Sequence, residues 1–244
     1  MERCSEEDFE LKSYWLEHAH RYSFAARLAS GDVADCACGI GYGSVFFKEN
    51  TEVTSYIGFD PSEDAIKVAH SKYSQNASGG FNLSTLENIP LRNASVDTFV
   101  SLETLEHLVT PVEGLGNIRR VLKDDGIFIG SVPTQQLEEL ATLIYGPNEY
   151  HLHKFDRDKI ITLLGGFFEC VELFNVSLVL GTYAKALDED TKLSNTLVVD
   201  RVNELTGLGS YFFICGKKSS VDLALKRIGN ASALYFPGVE KIIV

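Results

Sequence analysis

Apolar residues fall along this chain in short runs, separated by stretches of helical spacing. From about Glu6 to Leu28, charged and apolar side chains alternate at helical intervals with no proline between them, which predicts an N-terminal helix. Asp32 to Cys36 reads as a buried strand, and Ser44 to Glu49 as the helix behind a glycine-rich turn. Ser55 to Asp60 predicts a second strand. Asp60-Pro61-Ser62 then opens a helix whose Ala65, Ile66, Ala69 and Tyr73 share one face. Gly79-Gly80 turns into a weak third strand, Phe81 to Ser84, and Val96 to Leu102 is a fourth. Thr110 as cap and Pro111 as first residue begin a helix with the stripe Val112, Leu115, Ile118, Val121 and Leu122. Asp124-Asp125-Gly126 turns into a fifth strand, Ile127 to Val132. Asp156 caps a later helix that ends at Gly165-Gly166, and Phe167 to Val176 and Ser210 to Cys215 predict two late strands.

Strands alternating with amphipathic helices imply an α/β fold, a doubly wound and mostly parallel sheet behind an N-terminal helical segment. Two stretches break that rhythm: Thr134 to Phe155, and Gly181 to Gly209 with its acidic Asp188-Glu189-Asp190. Both are expected to be inserted segments that cover a substrate, or else ordinary packing helices. The organisation expected is a helical cap over 1–30, one domain over 31–217 with insertions at about 134–155 and 181–209, and a tail over 218–244. Neither an internal repeat nor a low-complexity segment stands out.

Composition narrows the function classes. With 244 residues and 45% hydrophobic content, the chain can bury a full core, and 23% charged residues argues against disorder. A formal net charge of −12 opposes a phosphate backbone, and Arg119-Arg120 and Lys217-Lys218 are only short basic pairs. The five cysteines are Cys4, Cys36, Cys38, Cys170 and Cys215. Their odd number and the position of Cys36 and Cys38 in a strand and its turn speak against a disulfide framework, and Cys36-x-Cys38 has no second pair at zinc spacing. No leader sequence and no run of membrane-spanning length is visible, so a cytoplasmic setting is expected.

The chemistry centres on Asp35-Cys36-Ala37-Cys38-Gly39-Ile40-Gly41-Tyr42-Gly43-Ser44, a strand end that turns through small residues into a helix. Small residues are needed where a ligand touches backbone, because a longer side chain would hold it off. A nicotinamide fingerprint would place its third glycine at Ser44, and glycine stands at Gly43 instead. The run resembles the loop of class I S-adenosylmethionine (SAM) methyltransferases, and the resemblance extends from about Arg21 to Gly216 in a Rossmann-like arrangement. It implies that Asp35, Ala37, Gly39 and Gly41 form the cofactor loop, and that Asp60 accepts both ribose hydroxyls beside Pro61. Leu86-Glu87-Asn88-Ile89-Pro90 resembles a third signature and Leu102-Glu103-Thr104-Leu105-Glu106-His107-Leu108 a fourth, with Glu103 on the cofactor side. Lys123 to Ile129 matches the turn before the fifth strand. Where the third signature usually carries an aspartate for the adenine amine, this chain has Ser84-Thr85-Leu86, so Thr85 and the Leu86 amide inherit that role.

Glu17-His18-Ala19-His20-Arg21-Tyr22 is similar to a helix that precedes the first strand in small-molecule methyltransferases, with Arg21 the expected grip on the methionine carboxylate. Tyr22 and Phe24 are expected in the core or the pocket wall. His107, after the fourth strand, and His151 and His153, in a run similar to an acceptor-pocket motif, are the candidate bases. His107 and His151 are the two assigned as catalytic, with Glu149 as a group that could set the tautomer of a neighbouring imidazole and Tyr145, Tyr150 and Phe155 as an acceptor wall. Glu103-x-x-Glu106-His107 is also the pattern of ubiquinone-biosynthesis O-methyltransferases, in which it is implicated in divalent-metal binding. Metal-free relatives carry the same residues, so no metal site is assigned and SAM is the cofactor expected, with S-adenosylhomocysteine as its product. The resemblance thus implies methyl transfer to a small molecule at oxygen, the acceptor being a sugar, a phenol or quinone-like compound, or a natural product. Neither nucleic acid nor membrane is an expected partner, and a homodimer is left open. The rival readings are a SAM-binding regulator or inactive partner subunit, and a methyltransferase of protein or nucleic acid. Against the latter stands Leu102-Glu103-Thr104 where an Asn/Asp-Pro-Pro-Tyr signature would be needed.

Overall fold

Seven of the apolar runs become neighbouring strands of one sheet. The computed structural model describes residues 12–176, 196–197, 199–201, 209–228 and 234–235. The strands are β1 (Gly31–Cys36), β2 (Val53–Asp60), β3 (Phe81–Leu83), β4 (Val96–Leu102), β5 (Leu122–Pro133), β6 (Cys170–Val176) and β7 (Ser210–Gly216). Their order is β3-β2-β1-β4-β5-β7-β6, with a short strand Val199–Arg201 on the outer edge of β6. The first five run parallel, and β7 is antiparallel to both β5 and β6. This is the doubly wound, mostly parallel sheet that the pattern predicts. Ligands gather at the carboxyl ends of such strands, on either side of the point where strand order reverses, which here lies between β1 and β4.

The helices are α1 (Lys12–Leu28), α2 (Ser44–Lys48), α3 (Glu63–Tyr73), α4 (Pro111–Val121), α5 (Gln135–Tyr145), α6 (Arg157–Gly165) and α7 (Lys218–Ile228). The alternation of side chains along each strand divides the core between the two faces of the sheet. Along β7, Phe212 and Ile214 join one cluster with Phe24, Ala25 and Leu28 of α1 and Val221 and Ala224 of α7. Tyr211, Phe213 and Cys215 point the other way and join Leu115 and Ile118 of α4 and Ile160 and Leu164 of α6.

Several boundaries differ from expectation for local reasons. Residues 1–11, which include the start of the expected first helix, and most of the expected insertion at 181–209 lie outside the described residues. The last predicted strand before residue 177 begins at Cys170 rather than Phe167, because the Phe167 and Phe168 amides close back onto the Leu164 carbonyl at 3.0 and 3.1 Å. Thr110 does not cap α4 with its side chain; its carbonyl accepts from Glu113 and Gly114 instead. Asp156 does cap α6, accepting from the Lys159 amide at 2.8 Å. Residues 218–228, expected as part of a tail, form a packed helix. Its Arg227 donates to the Leu28 carbonyl at 2.7 Å and to Ser30 Oγ at 3.0 Å. Among the described residues, no helix is long and apolar enough to cross a membrane.

Candidate active site

The carboxyl ends of β1, β2 and β4, together with α1 and α5, enclose a cavity of about 610 Å3, within the range of small-molecule sites. Its floor is the loop after β1. Ala37 and Gly39 line it with positive φ angles of 66° and 55°, a backbone path that favours residues with little or no side chain. A Cβ placed on Gly39 would meet nothing within 4 Å, so this position opens into the cavity. A Cβ on Gly41 would strike Ala69 and Phe81 at 2.8 Å, so this glycine serves the turn's packing and does not line the cavity. Asp60, at the end of β2, accepts from the Gly39 amide at 3.0 Å and from the Ser62 amide at 2.8 Å. The carboxylate is thereby held at the cavity wall beside Pro61, with Thr85 and Leu86 further along.

Asp35 is fully buried and does not line the cavity. Its Oδ2 accepts from Tyr56 Oη at 2.6 Å. Burial pushes its carboxyl up to about 7, more than the Tyr56 and Tyr22 hydroxyls bring it down, and Asp60 adds to the rise. The sequence places Asp35 with the cofactor residues; the structure places it beneath them, tying β1 to the tyrosine of β2.

At the opposite wall, Arg21 of α1 is buried and donates from Nη1 to Glu17 Oε1 at 3.0 Å and to Ser210 Oγ at 3.4 Å. Desolvation works against its charge, and Glu103 and Glu17 outweigh it, so the guanidinium is held more firmly protonated than usual. Glu103 stands at the end of β4 with φ +49°, a conformation rare for a residue with a side chain. Ser131 holds it there: the Glu103 amide donates to the Ser131 carbonyl at 3.0 Å, and Ser131 Oγ donates to Oε1 at 2.6 Å. Ser210 Oγ donates to Glu103 Oε2 at 3.2 Å. Ser131 and Ser210 have no signal in the sequence beyond being polar residues in apolar strands.

The two candidate bases meet at the mouth of the cavity. His107 and His151 rings lie edge to face with centroids 4.6 Å apart. His107 Nδ1 is 2.9 Å from the Tyr150 carbonyl, to which it donates. His151 Nδ1 lies 2.5 Å from Glu138 Oε1, and Glu138 is buried on the first turn of α5 behind its Thr134 cap. Glu149, the partner named from the sequence, is exposed and does not line the cavity; Glu138 takes that place. His153 turns away and bonds the Leu108 carbonyl through Nε2 at 2.9 Å. Of the expected aromatic wall only Tyr145 lines the cavity. Phe155 is buried in the core cluster with α6, and Tyr150 is exposed outside the cavity lining.

Glu106 completes this corner. It is buried, and burial, then the Glu103 carboxylate, push its carboxyl well above the usual range. Glu106, His107 and His151 each place one ligand-type atom within 4.8 Å of the others, a set that does not include Glu103.

The fold and the loop match known proteins. Residues 34–130 match the family described as "Methyltransferase domain". A protein of Mycobacterium tuberculosis named as a probable SAM-dependent methyltransferase is 27% identical over 165 residues, 64% of this chain and 56% of that protein. A similarly named protein of Mycolicibacterium smegmatis is 31% identical over 126 residues, 51% of this chain and 47% of its own. The chain spans about half the length of the curated relatives it matches. The chain is thus similar to SAM-dependent methyltransferases, and its match to the methyltransferase domain lies over residues 34–130. The fold is that of YcgJ from Bacillus subtilis, with a TM-score of 0.60 and 16% identity over 82% of this chain and 100% of that one. It is also that of a SAM-dependent methyltransferase from Thermotoga maritima, with a TM-score of 0.60 and 19% identity over 86% and 95% of the two chains.

The cavity suits SAM on its own chemistry. Among the described residues lining it are six carboxyl side chains (Glu17, Asp60, Glu87, Glu103, Glu106 and Glu138) against the single guanidinium of Arg21. SAM carries an ammonium and a sulfonium against one carboxylate, so its net positive charge complements such a wall. The open approach over Gly39 and the Asp60 carboxylate beside it supply the close backbone contact and the bidentate acceptor that a nucleoside needs.

Proposed function

We propose that this methyltransferase transfers a methyl group from SAM to a hydroxyl oxygen of a small molecule, with His151 as the base. The observation that supports this reading is the 2.5 Å contact between His151 Nδ1 and the buried Glu138 carboxyl at the edge of the cavity. With Nδ1 donating to Glu138, Nε2 is the basic nitrogen of that tautomer, and the carboxylate stabilises the imidazolium as the proton arrives. Bound SAM supplies a methyl on a sulfonium, already electrophilic. The protein's share is to place the acceptor in line and to take its proton.

Asp60 holds the ribose, Ala37 and Gly39 give backbone approach, and Pro61, Thr85 and Leu86 enclose the adenine. Arg21 takes the carboxylate end, with Glu103 facing the ammonium. His107, fixed on the Tyr150 carbonyl, borders the acceptor beside His151. Helix α5 roofs this part with Leu137, Ala141, Thr142 and Tyr145, which fits the expected substrate-covering segment and a small acceptor. Four cysteines, Cys36, Cys38, Cys170 and Cys215, are free thiols, which supports a reducing, cytoplasmic setting.

The reading is tested by calorimetry with S-adenosylhomocysteine and NAD, followed by a screen of hydroxylated compounds for release of S-adenosylhomocysteine from SAM. Binding of the former, turnover on a hydroxylated compound, and persistence of that turnover after dialysis against EDTA are expected. Binding of NAD alone would overturn the cofactor assignment, and methylation confined to amines would overturn the assignment to oxygen.

A further inference from the structure

Glu106 has only 1% of its surface exposed, and neither of its carboxyl oxygens has a hydrogen-bond partner among the described residues. Its main-chain carbonyl, by contrast, is engaged twice. The Glu106 carbonyl accepts from the Leu152 and His153 amides at 2.8 and 3.1 Å, so the segment carrying His151 is stitched to the backbone of Glu106. The side chain lines the same cavity as His107 and His151. A buried carboxyl left without a partner bears the full cost of its lost hydration. That cost is removed when the occupant of the cavity supplies the partner. His107 Nε2 lies 3.8 Å from Glu106 Oε1, too far for a hydrogen bond, and the three polar groups converge within 4.8 Å. The cavity of about 610 Å3 that all three residues line opens beside them.

We propose that Glu106, His107 and His151 together read a pair of adjacent hydroxyls on the acceptor, a vicinal diol of the sugar or catechol type. Glu106 holds the hydroxyl that is not methylated, and His151 serves the one that is. The inference rests on the methyl-transfer reading above and names its substrate class. As the reacting oxygen forms its bond to the methyl carbon, its proton passes to His151 Nε2, and the former carbon–sulfur bonding pair stays on sulfur. Glu106 undergoes no covalent change. A compound with one hydroxyl would satisfy His151 and leave Glu106 bare. Sites built to hydrogen-bond a substrate hydroxyl reject analogues lacking it by large factors for this reason.

The test uses the full chain, labelled with nitrogen-15 in its histidines and saturated with S-adenosylhomocysteine. Catechol is titrated against phenol, and cis-1,2-cyclohexanediol against cyclohexanol, with the imidazole resonances as the readout. The two pairs distinguish the aromatic from the saturated diol. The diol of at least one pair is expected to bind roughly ten-fold or more tighter than its partner, because only the diol satisfies Glu106. Glu106→Gln and Glu106→Ala should each erase most of that preference, and the wild-type comparison stands even if a variant fails to fold. Equal affinities within both pairs, or a preference that survives in a folded Glu106 variant, would overturn the proposal. A preference that appears only with added Mg2+ or Zn2+ and vanishes with EDTA would also overturn it, making an ion the partner of Glu106. Failure of the wild-type protein to bind S-adenosylhomocysteine would remove the methyl-transfer reading, and this proposal with it. Failure of the diol preference alone would leave that reading standing.

Discussion

The Gly39 amide donates to Asp60 Oδ2 at 3.0 Å, so the glycine loop after β1 and the acidic end of β2 are fastened to each other before any ligand enters. The carboxylate proposed to hold a ribose is therefore also a brace for the loop beneath it. Asp60→Ala removes an acceptor from both. It should weaken S-adenosylhomocysteine binding by at least about 1.5–3 kcal/mol, the scale of a hydrogen bond to a charged group. Gly39→Val should abolish binding, since its side chain would fill the open approach. Calorimetry checks both, and unchanged affinity in Asp60→Ala would remove Asp60 from the site.

The second expectation concerns proton transfer. With any acceptor that the wild-type enzyme methylates at oxygen, His151→Ala should lower turnover by about 10²–10⁴-fold while the affinity for S-adenosylhomocysteine changes little. Glu138→Gln keeps the shape but loses the charge that stabilises imidazolium, and should fall between wild type and His151→Ala. His153→Ala is the control, because that imidazole is spent on the Leu108 carbonyl. If His107→Ala removes turnover and His151→Ala does not, the base is the histidine after β4.

Asp35 gives the pH dependence. Its carboxyl rises from an ordinary 3.8 to about 7 on folding, chiefly by burial. Between those values the native chain holds a proton that the unfolded chain has released, so this group makes stability fall as pH rises through the window. The slope is about 1.4 kcal/mol per pH unit at most. Asp35→Asn cannot ionise and should lack that decline. Urea midpoints at pH 5 and pH 8 should therefore drop further for wild type than for Asp35→Asn; parallel drops would show that Asp35 titrates normally.

Gly43 offers a purely steric test. A Cβ there would lie 2.3 Å from the Tyr22 ring, which is itself wedged edge-on against Tyr42 and Phe47. Gly43 has an ordinary right-handed backbone, so conformational strain does not enter. Gly43→Ala should cost about 1–3 kcal/mol by overpacking, read as a lower thermal midpoint.

Much of this was legible in the sequence because it is local. The strand ends and the glycine turn follow from apolar runs and turn residues within a few positions of one another, and Asp60 and the His107 motif were singled out by the resemblance to the methyltransferases. Glu138 was not, because a glutamate within the first turn of a helix usually meets solvent. Only the fold shows that its side chain lies under α5 against an imidazole thirteen positions away. Glu149, adjacent in sequence to the His151 segment, was the natural choice and is exposed. Asp35 carries the expected motif position, yet the tyrosine of β2 that claims it cannot be read from the motif. Ser210 was invisible for a similar reason: its partners Arg21 and Glu103 lie far away in the chain.

That last contact bears on how the protein comes into being. Ser210 opens β7, which inserts between β5 and β6 after both have been made, and its hydroxyl bridges Arg21 and Glu103. A chain still on the ribosome can assemble β1 to β5 and close the glycine loop as its N-terminal half emerges. The Arg21–Glu103 wall must wait for some hundred further residues of translation. A nascent chain stalled before residue 210 would thus have the floor of its cavity in place and one wall without its serine bridge.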